Sequence, residues 1–379
     1  MRVLVNAVAA NMGGALRHLR GFAGVLGEVG REHEFWLCIG RDLELPPPTC
    51  NAHLFRVSLY GSLNRQLYWH QVEVPRLVRR FGIEALISLL NFGPLRPSVP
   101  QITFQRNQVY FCPYYPQTVG RRARTEARVR RWLACRTMRA SAAVVTPSLG
   151  MREMIRARYP FFPEGKFHVI PHGFDAGEFL GNREPLPERA RRLLSDAGPG
   201  RVRLLYATHP APYKGVEITL HALRAVRDAG VDACLFLTME PADWPKGVGR
   251  YLRLARDLGL ENDVLLLGRI PQNAMASVYE GCDLFVFPSL CESFGFPMLE
   301  AMSAGLPVVA SGTAVNREIL GESALYYPPL DSRAAALEIL RVAGDEGLRK
   351  RLSEASGRRM EQIDWGWKRH VRDVLSLVA

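Results

Sequence analysis

The chain has 379 residues, 47% of them hydrophobic, and a formal net charge of +12 at pH 7. That length exceeds what one hydrophobic core organises, so two domains are expected, and the apolar content excludes a disordered chain. No run approaches the roughly 20 apolar residues that span a bilayer, and Met1 to His18 reads as strand and turn rather than as a leader, so a cytoplasmic protein is expected.

Charge is unevenly placed. Residues 1–180 hold 24 Lys+Arg against 12 Asp+Glu, whereas residues 181–379 hold 25 against 25, so the whole excess lies in the first half. The cysteines, Cys38, Cys50, Cys112, Cys135, Cys234, Cys282 and Cys291, form no C-x-x-C pair or zinc spacing and are expected as buried free thiols.

In chain order, apolar runs bounded by Gly or Pro alternate with helical patterns, the signature of parallel sheets wrapped by helices. The first series predicts strands at Arg2 to Val8, Glu34 to Ile39, Ala85 to Leu89, Gln101 to Phe104 and Ala143 to Thr146, with an amphipathic helix from about Leu16 to Leu26. After the first strand comes Asn11-Met-Gly-Gly-Ala-Leu16, where Gly13 and Gly14 let backbone N–H groups approach a phosphate or an acceptor. It is not the G-x-G-x-x-G of dinucleotide enzymes. Arg121 to Arg139 holds eight Arg with Trp132, Leu133, Cys135 and Met138 interleaved. Two readings stand for it: a helix lying on an anionic membrane surface, or a solvated basic helix packed on the N-terminal sheet. Charge alone also allows nucleic acid, but no recognition motif accompanies it and none is expected as partner.

His168-Val-Ile-Pro-His-Gly-Phe-Asp-Ala-Gly-Glu-Phe179 and the Pro- and Arg-rich stretch from Asn182 to Arg203 mark the boundary. The second series predicts strands at Val202 to Ala207, Cys234 to Thr238, Val264 to Leu267, Leu284 to Pro288 and Val308 to Ser311. In Phe285 to Val309 a buried strand ends at Pro288, a polar turn follows, and Pro297 opens a helix closed by Gly305. Such a helix start aims free N–H groups at an anion. Glu292 and Glu300 beside it suit sugar or ribose hydroxyls, although a turn acid and a helix-start acid would explain either carboxylate alone.

The run Pro288-Ser289, Glu292, Phe294-Gly295, Pro297, Leu299-Glu300-Ala301-Met302, Gly305 and Pro307-Val308 resembles the donor-binding motif of the family 4 glycosyltransferases, with Ser293 replacing a Gly. The resemblance covers nearly the whole chain and is weakest between residues 30 and 100. It implies the GT-B fold: α/β, two Rossmann-like domains with parallel sheets facing an interdomain cleft. Its expected parts are residues 1–172 for acceptor binding, 173–355 for donor binding, and 356–379 as a helix crossing back.

The resemblance also implies roles. Glu292 would contact the transferred sugar and Glu300 the ribose hydroxyls, while the backbone of Gly295, Phe296, Pro297 and Met298 would meet sugar and diphosphate, with Ser293 and Phe294 alongside. Leu204 to Gly215 matches a Gly-Arg-x-x-x-x-Lys-Gly turn, so Lys214 would neutralise the leaving diphosphate and His209, in the Arg place, would add a second cation only if protonated. The backbone after Gly268, at Arg269 and Ile270, would read the base. His172 stands where the family has Asn and is read as a packing residue. The family's His-Asp pair is replaced by Gln101 to Gln108, which leaves Arg106 and Asn107 as nearest candidates for contacts to the donor sugar.

The catalytic set is therefore Glu292, Lys214, Arg106 and Asn107. No Asp-x-Asp pair is seen, so neither metal nor cofactor is expected beyond a nucleotide-sugar substrate such as a UDP- or GDP-sugar. The expected activity is retaining transfer of a hexose to a hydroxyl of a glycan or lipid-linked acceptor, in cell-surface polysaccharide synthesis. The alternatives are a non-catalytic basic protein of this fold that binds membrane or nucleic acid, and a nucleotide-sugar epimerase, which would want an acid/base pair in its cleft.

Overall fold

Seven parallel strands form the first sheet: β1 (Arg2–Asn6), β2 (Glu34–Gly40), β3 (Ala52–Val57), β4 (Ala85–Ser88), β5 (Gln101–Phe104), β6 (Ala143–Thr146) and β7 (Phe167–Val169), in the order β3-β2-β1-β4-β5-β6-β7. The second has six: β8 (Val202–Tyr206), β9 (Ala233–Leu237), β10 (Val264–Leu266), β11 (Leu284–Phe287), β12 (Val308–Ser311) and β13 (Ala324–Tyr327), in the order β10-β9-β8-β11-β12-β13. The computed structural model describes residues 1–45, 51–58, 63–181, 183–198 and 200–378, so the expectations placed on Cys50 and Asn182 lie outside it.

Side chains alternate across β1. Val3 and Val5 face one core with Leu19 and Phe22 of α1 (Gly13–Gly24), and Leu4 faces the other with Trp69, Val74 and Leu77. α1 starts three residues before the expected Leu16, because the Gly13 backbone already enters the helix. α2 (Arg121–Ala140) carries the basic segment, α3 (Val216–Asp228) follows β8, and α4 (Phe296–Ser303) follows β11.

The chain divides into two compact units, Met1–Cys112 with Gly120–Phe174 and Trp365–Ala379, and Pro113–Val119 with Asp175–Asp364. The terminal piece expected from 356 is thereby split: α5 (Glu346–Gln362) stays in the second unit and α6 (Trp367–Leu375) belongs to the first. Hydrophobic burial explains the return. Val371 and Val374 are fully covered by the first core, each contributing about 1.5–3 kcal/mol. The Trp367 ring also lies on Gly21 and Gly173, where a Cβ would come within 2.1 and 2.2 Å of it.

Among the described residues Cys38, Cys135, Cys234 and Cys282 are buried free thiols. The expectation fails for Cys112 and Cys291, which are buried but disulfide-bonded.

Candidate functional site

In the second unit, the turn after β8 carries Lys214 and the loop after β11 carries Glu292. Lys214 Nζ donates to Glu292 Oε1 at 2.5 Å, and both residues are 8% exposed. Ser289 Oγ donates to the same carboxylate oxygen at 2.6 Å. Burial opposes the charge on Lys214, but Glu292 and Tyr213 together outweigh it and the ammonium pKa is raised. Backbone packing fixes the pair: Tyr206 Oη donates to the Lys214 carbonyl at 2.7 Å, and Leu290 N donates to the Tyr213 carbonyl at 3.0 Å. Gly215 makes that approach possible, since its φ is +67° and a Cβ would sit 2.6 Å from the Pro288 carbonyl oxygen.

His209 is exposed, yet desolvation by the surrounding chain, followed by the Lys214 charge, lowers its pKa to about 4. The conditional second cation is therefore absent at neutral pH, and Lys214 carries the positive charge of this turn by itself.

Gly295 caps α4 in the left-handed conformation, φ +88°, and a Cβ there would meet Met298 Cε at 2.4 Å. The helix begins at Phe296 rather than at Pro297, and Gly305 follows its end at φ +68°. No side chain caps its first turn; Pro297 has no N–H and Met298 N donates to the Gly295 carbonyl at 3.0 Å, so the positive end of the helix dipole is what this start offers an anion. Phe294 and Phe296 pack edge to face at 5.4 Å beside the half-buried Ser293. Glu300, one turn into the helix and 4% exposed, accepts from Gln272 Nε2 at 2.9 Å and from Tyr279 Oη at 2.9 Å. Sequence reasoning overlooked Gln272, which has no motif of its own.

Gly268 follows β10 with φ +83° and open space around it. The exposed Arg269 turns to Asp243 at 2.6 Å and Glu240 at 3.1 Å. These two acids close a reciprocal capping box in the loop at Leu237 to Trp244, so Arg269 fastens that loop.

In the first unit, the N-terminus of α1 also has no side-chain cap, which leaves the N–H groups at Gly13 and Gly14 available. Arg106 and Asn107 diverge. Arg106 Nη2 donates to the Gly14 carbonyl at 2.8 Å and Nε donates to His172 Nε2 at 3.1 Å, so this guanidinium holds the Gly-Gly loop rather than standing free for a sugar. Burial lowers its pKa to about 9, which keeps it cationic at neutral pH. Asn107 instead caps the turn Gln108–Tyr110, accepting from Val109 N at 3.3 Å.

His172 belongs to a cluster that sequence spacing concealed. His18, His172 and His370 bring their nitrogens within 4.8 Å of one another, and all three are buried. His370 Nδ1 donates to the Pro171 carbonyl at 2.6 Å, leaving Nε2 to accept from His18 Nε2 at 2.8 Å. Desolvation, then the Arg106 charge, puts His18 and His172 well below their ordinary pKa, and burial brings His370 to about 4. The three rings are neutral. A metal ion here would have to break the His18–His370 bond and lie beside the Arg106 cation, which electrostatics opposes.

Residues 12–178 match the family described as Glycosyltransferase Family 4, and residues 201–345 match Glycosyl transferases group 1. The chain belongs to the family 4 glycosyltransferases. It is 28% identical over 225 residues to a D-inositol 3-phosphate glycosyltransferase of Salinispora arenicola, covering 56% of this chain and 49% of the relative. It is 27% identical over 247 residues to an MMP alpha-(1->4)-mannosyltransferase of Mycolicibacterium hassiacum, covering 62% and 55%. The chain thus spans about half the length of these curated relatives.

Among solved structures, sucrose-phosphate synthase from Thermosynechococcus elongatus superposes with a TM-score of 0.77 at 18% identity, covering 100% of this chain and 98% of that one. WaaG, a glycosyltransferase involved in lipopolysaccharide biosynthesis, gives 0.74 at 16%, covering 99% and 100%. HepE from Anabaena in complex with UDP-glucose gives 0.72 at 18%, covering 99% of each chain. The fold is therefore that of the GT-B glycosyltransferases.

Proposed function

We propose that this protein transfers a hexose from a nucleotide diphosphate sugar to a hydroxyl of a glycan or lipid-linked acceptor, with retention of anomeric configuration, in cell-surface polysaccharide synthesis. The observation that carries the reading is the Gly295-capped start of α4 with the buried Lys214–Glu292 pair and Glu300. The helix dipole and one cation suit the charge that builds on a departing diphosphate. Two carboxylates suit hydroxyl groups. Relatives named as an O-antigen chain mannosyltransferase and a phosphatidyl-myo-inositol mannosyltransferase support the substrate class.

In the proposed reaction the acceptor hydroxyl attacks from the face that the nucleotide leaves, and the departing diphosphate takes its proton. Lys214 and the positive end of the α4 dipole stabilise that diphosphate, so no metal ion is invoked. Glu292 orients the sugar and Glu300 the ribose; neither acts as an acid or base.

No helix among the described residues is long and apolar enough to cross a membrane. The proposed place of action is the cytoplasm, against an anionic membrane surface met by α2. Its exposed Trp132 is flanked by exposed Arg128 and Arg136, and the exposed Phe161 lies under Arg139 at 4.8 Å.

The test is thermal stabilisation by UDP, GDP and their sugars, abolished in Glu300→Ala, followed by product NMR. No stabilisation by any nucleotide would sink the reading, and a product of inverted configuration would refute the mechanism.

A further inference from the structure

The geometry points to a subsite for one sugar ring built wholly within the first unit, which deepens the acceptor half of the proposed function and rests on it. A cavity of about 200 Å³ opens where Asn6 ends β1, Asn91 follows β4 and Asn107 follows β5. In the order β3-β2-β1-β4-β5-β6-β7 the sheet reverses its winding between β1 and β4. The carboxyl ends of strands at such a reversal are where doubly wound sheets bind ligands.

Its lining joins aromatic and amide groups, the composition that takes a ring with one apolar face and a rim of hydroxyls. Trp69, Phe92 and Tyr110 supply aromatic surface, and Gln66 and His70 supply hydrogen bonds. Arg130 lines it too, held by Glu126 at 2.9 Å, so the guanidinium offers donors with its charge balanced. The volume lies below the roughly 300–1,000 Å³ typical of drug-sized ligands, which suits one ring rather than a chain.

Asn6 sets the geometry as a positioning residue. Its Oδ1 accepts from Trp69 Nε1 at 3.0 Å, and its Nδ2 donates to His70 Nδ1 at 3.2 Å. Both ends of the amide are used, and His70 is left with its proton on Nε2 as a donor. Burial lowers the His70 pKa to about 4, so the ring is neutral and its tautomer is set by Asn6 at pH 7.

The backbone gives a separate sign. Trp69 and His70 open a π-helical turn, Trp69–Glu73, inserted between the α-helical segments Leu63–Tyr68 and Val74–Phe81. Such widened turns weaken a helix and recur at functional sites. Here the turn runs directly into Pro75, which lacks the N–H that α-helical register would use.

The experiment is ligand-observed saturation-transfer NMR on the full chain, with methyl α-mannoside, methyl β-glucoside and methyl β-glucuronoside as probes and cyclohexanol as control. At least one glycoside is expected to bind where cyclohexanol does not. Gln66→Ala and His70→Asn should each weaken it about fivefold, the worth of one hydrogen bond, while His70→Gln, which restores a donor near Nε2, should retain it. Thermal unfolding of each variant with and without UDP and GDP is run on the same samples. Unchanged nucleotide stabilisation shows an intact fold and donor site. If no glycoside binds, if cyclohexanol binds equally, or if all variants bind alike, the subsite is overturned. Glycoside binding with this pattern in the absence of any nucleotide effect would overturn the proposed function and leave the subsite standing.

Discussion

Lys214→Ala and Glu292→Gln should move nucleotide binding in opposite directions. In the second unit the two charges meet at 2.5 Å with 8% exposure each, and Ser289 also holds the carboxylate. Removing Lys214 strands a buried anion, at a cost of about 3–5 kcal/mol. For a unit of this size that lowers Tm by on the order of 10 °C. Glu292→Gln keeps the volume and a hydrogen bond to Ser289, and it releases the ammonium from its competitor. Bare UDP or GDP should then bind more tightly, by about tenfold for ~1.4 kcal/mol of recovered interaction, while sugar transfer falls. Lys214→Ala should bind both nucleotides more weakly than wild type. Calorimetric titration and a melting curve for each variant decide the matter. A Lys214→Ala protein as stable as wild type, or a Glu292→Gln protein that binds UDP and GDP no better than Lys214→Ala, would refute the reasoning.

The buried histidines predict acid sensitivity. His370, lowered to about 4 when folded, takes up a proton near 6.5 when unfolded, so its contribution is complete above pH 6.5 and is lost as pH falls toward 4. That contribution is about 3 kcal/mol, and urea unfolding between pH 7.5 and 4.5 should show a decline that His370→Asn flattens. Gly21→Ala, which within a helix would ordinarily stabilise, should instead cost about 1–3 kcal/mol because the new Cβ meets Trp367; an unchanged urea midpoint would contradict the packing. His209→Arg should strengthen nucleotide binding at pH 7.5 by about tenfold, since it places a permanent cation where the imidazole is neutral. Arg128→Glu with Trp132→Ala should reduce cosedimentation with anionic vesicles and leave neutral vesicles unaffected; equal binding by wild type to both would remove the proposed membrane role of α2.

Central strands were legible because they are buried on both faces and read as continuous apolar runs, as at Ala233 to Leu237 and Leu284 to Phe287. The strands missed, β3, β7 and β13, all lie at sheet edges, where exposure interrupts the run. The donor-side loop was legible for a local reason: a strand end, a turn, a left-handed Gly295 and a helix start follow within a few residues, so adjacency in sequence is adjacency in space. Arg106 was placed beside Asn107 by sequence, yet the two side chains part company.

Contacts across the fold belong to tertiary structure. Lys214 and Glu292 are 78 positions apart, and His18 and His370 are 352 apart. No spacing rule joins them, and neither the neutrality of His209 nor the Asn6–Trp69–His70 geometry follows from composition. The sequence by itself determined the two parallel sheets, the helix start at Phe296 to within one residue, and the family. Packing decided which charges pair and which stay neutral, because desolvation and a partner's distance set those energies, and both exist only once the chain has folded.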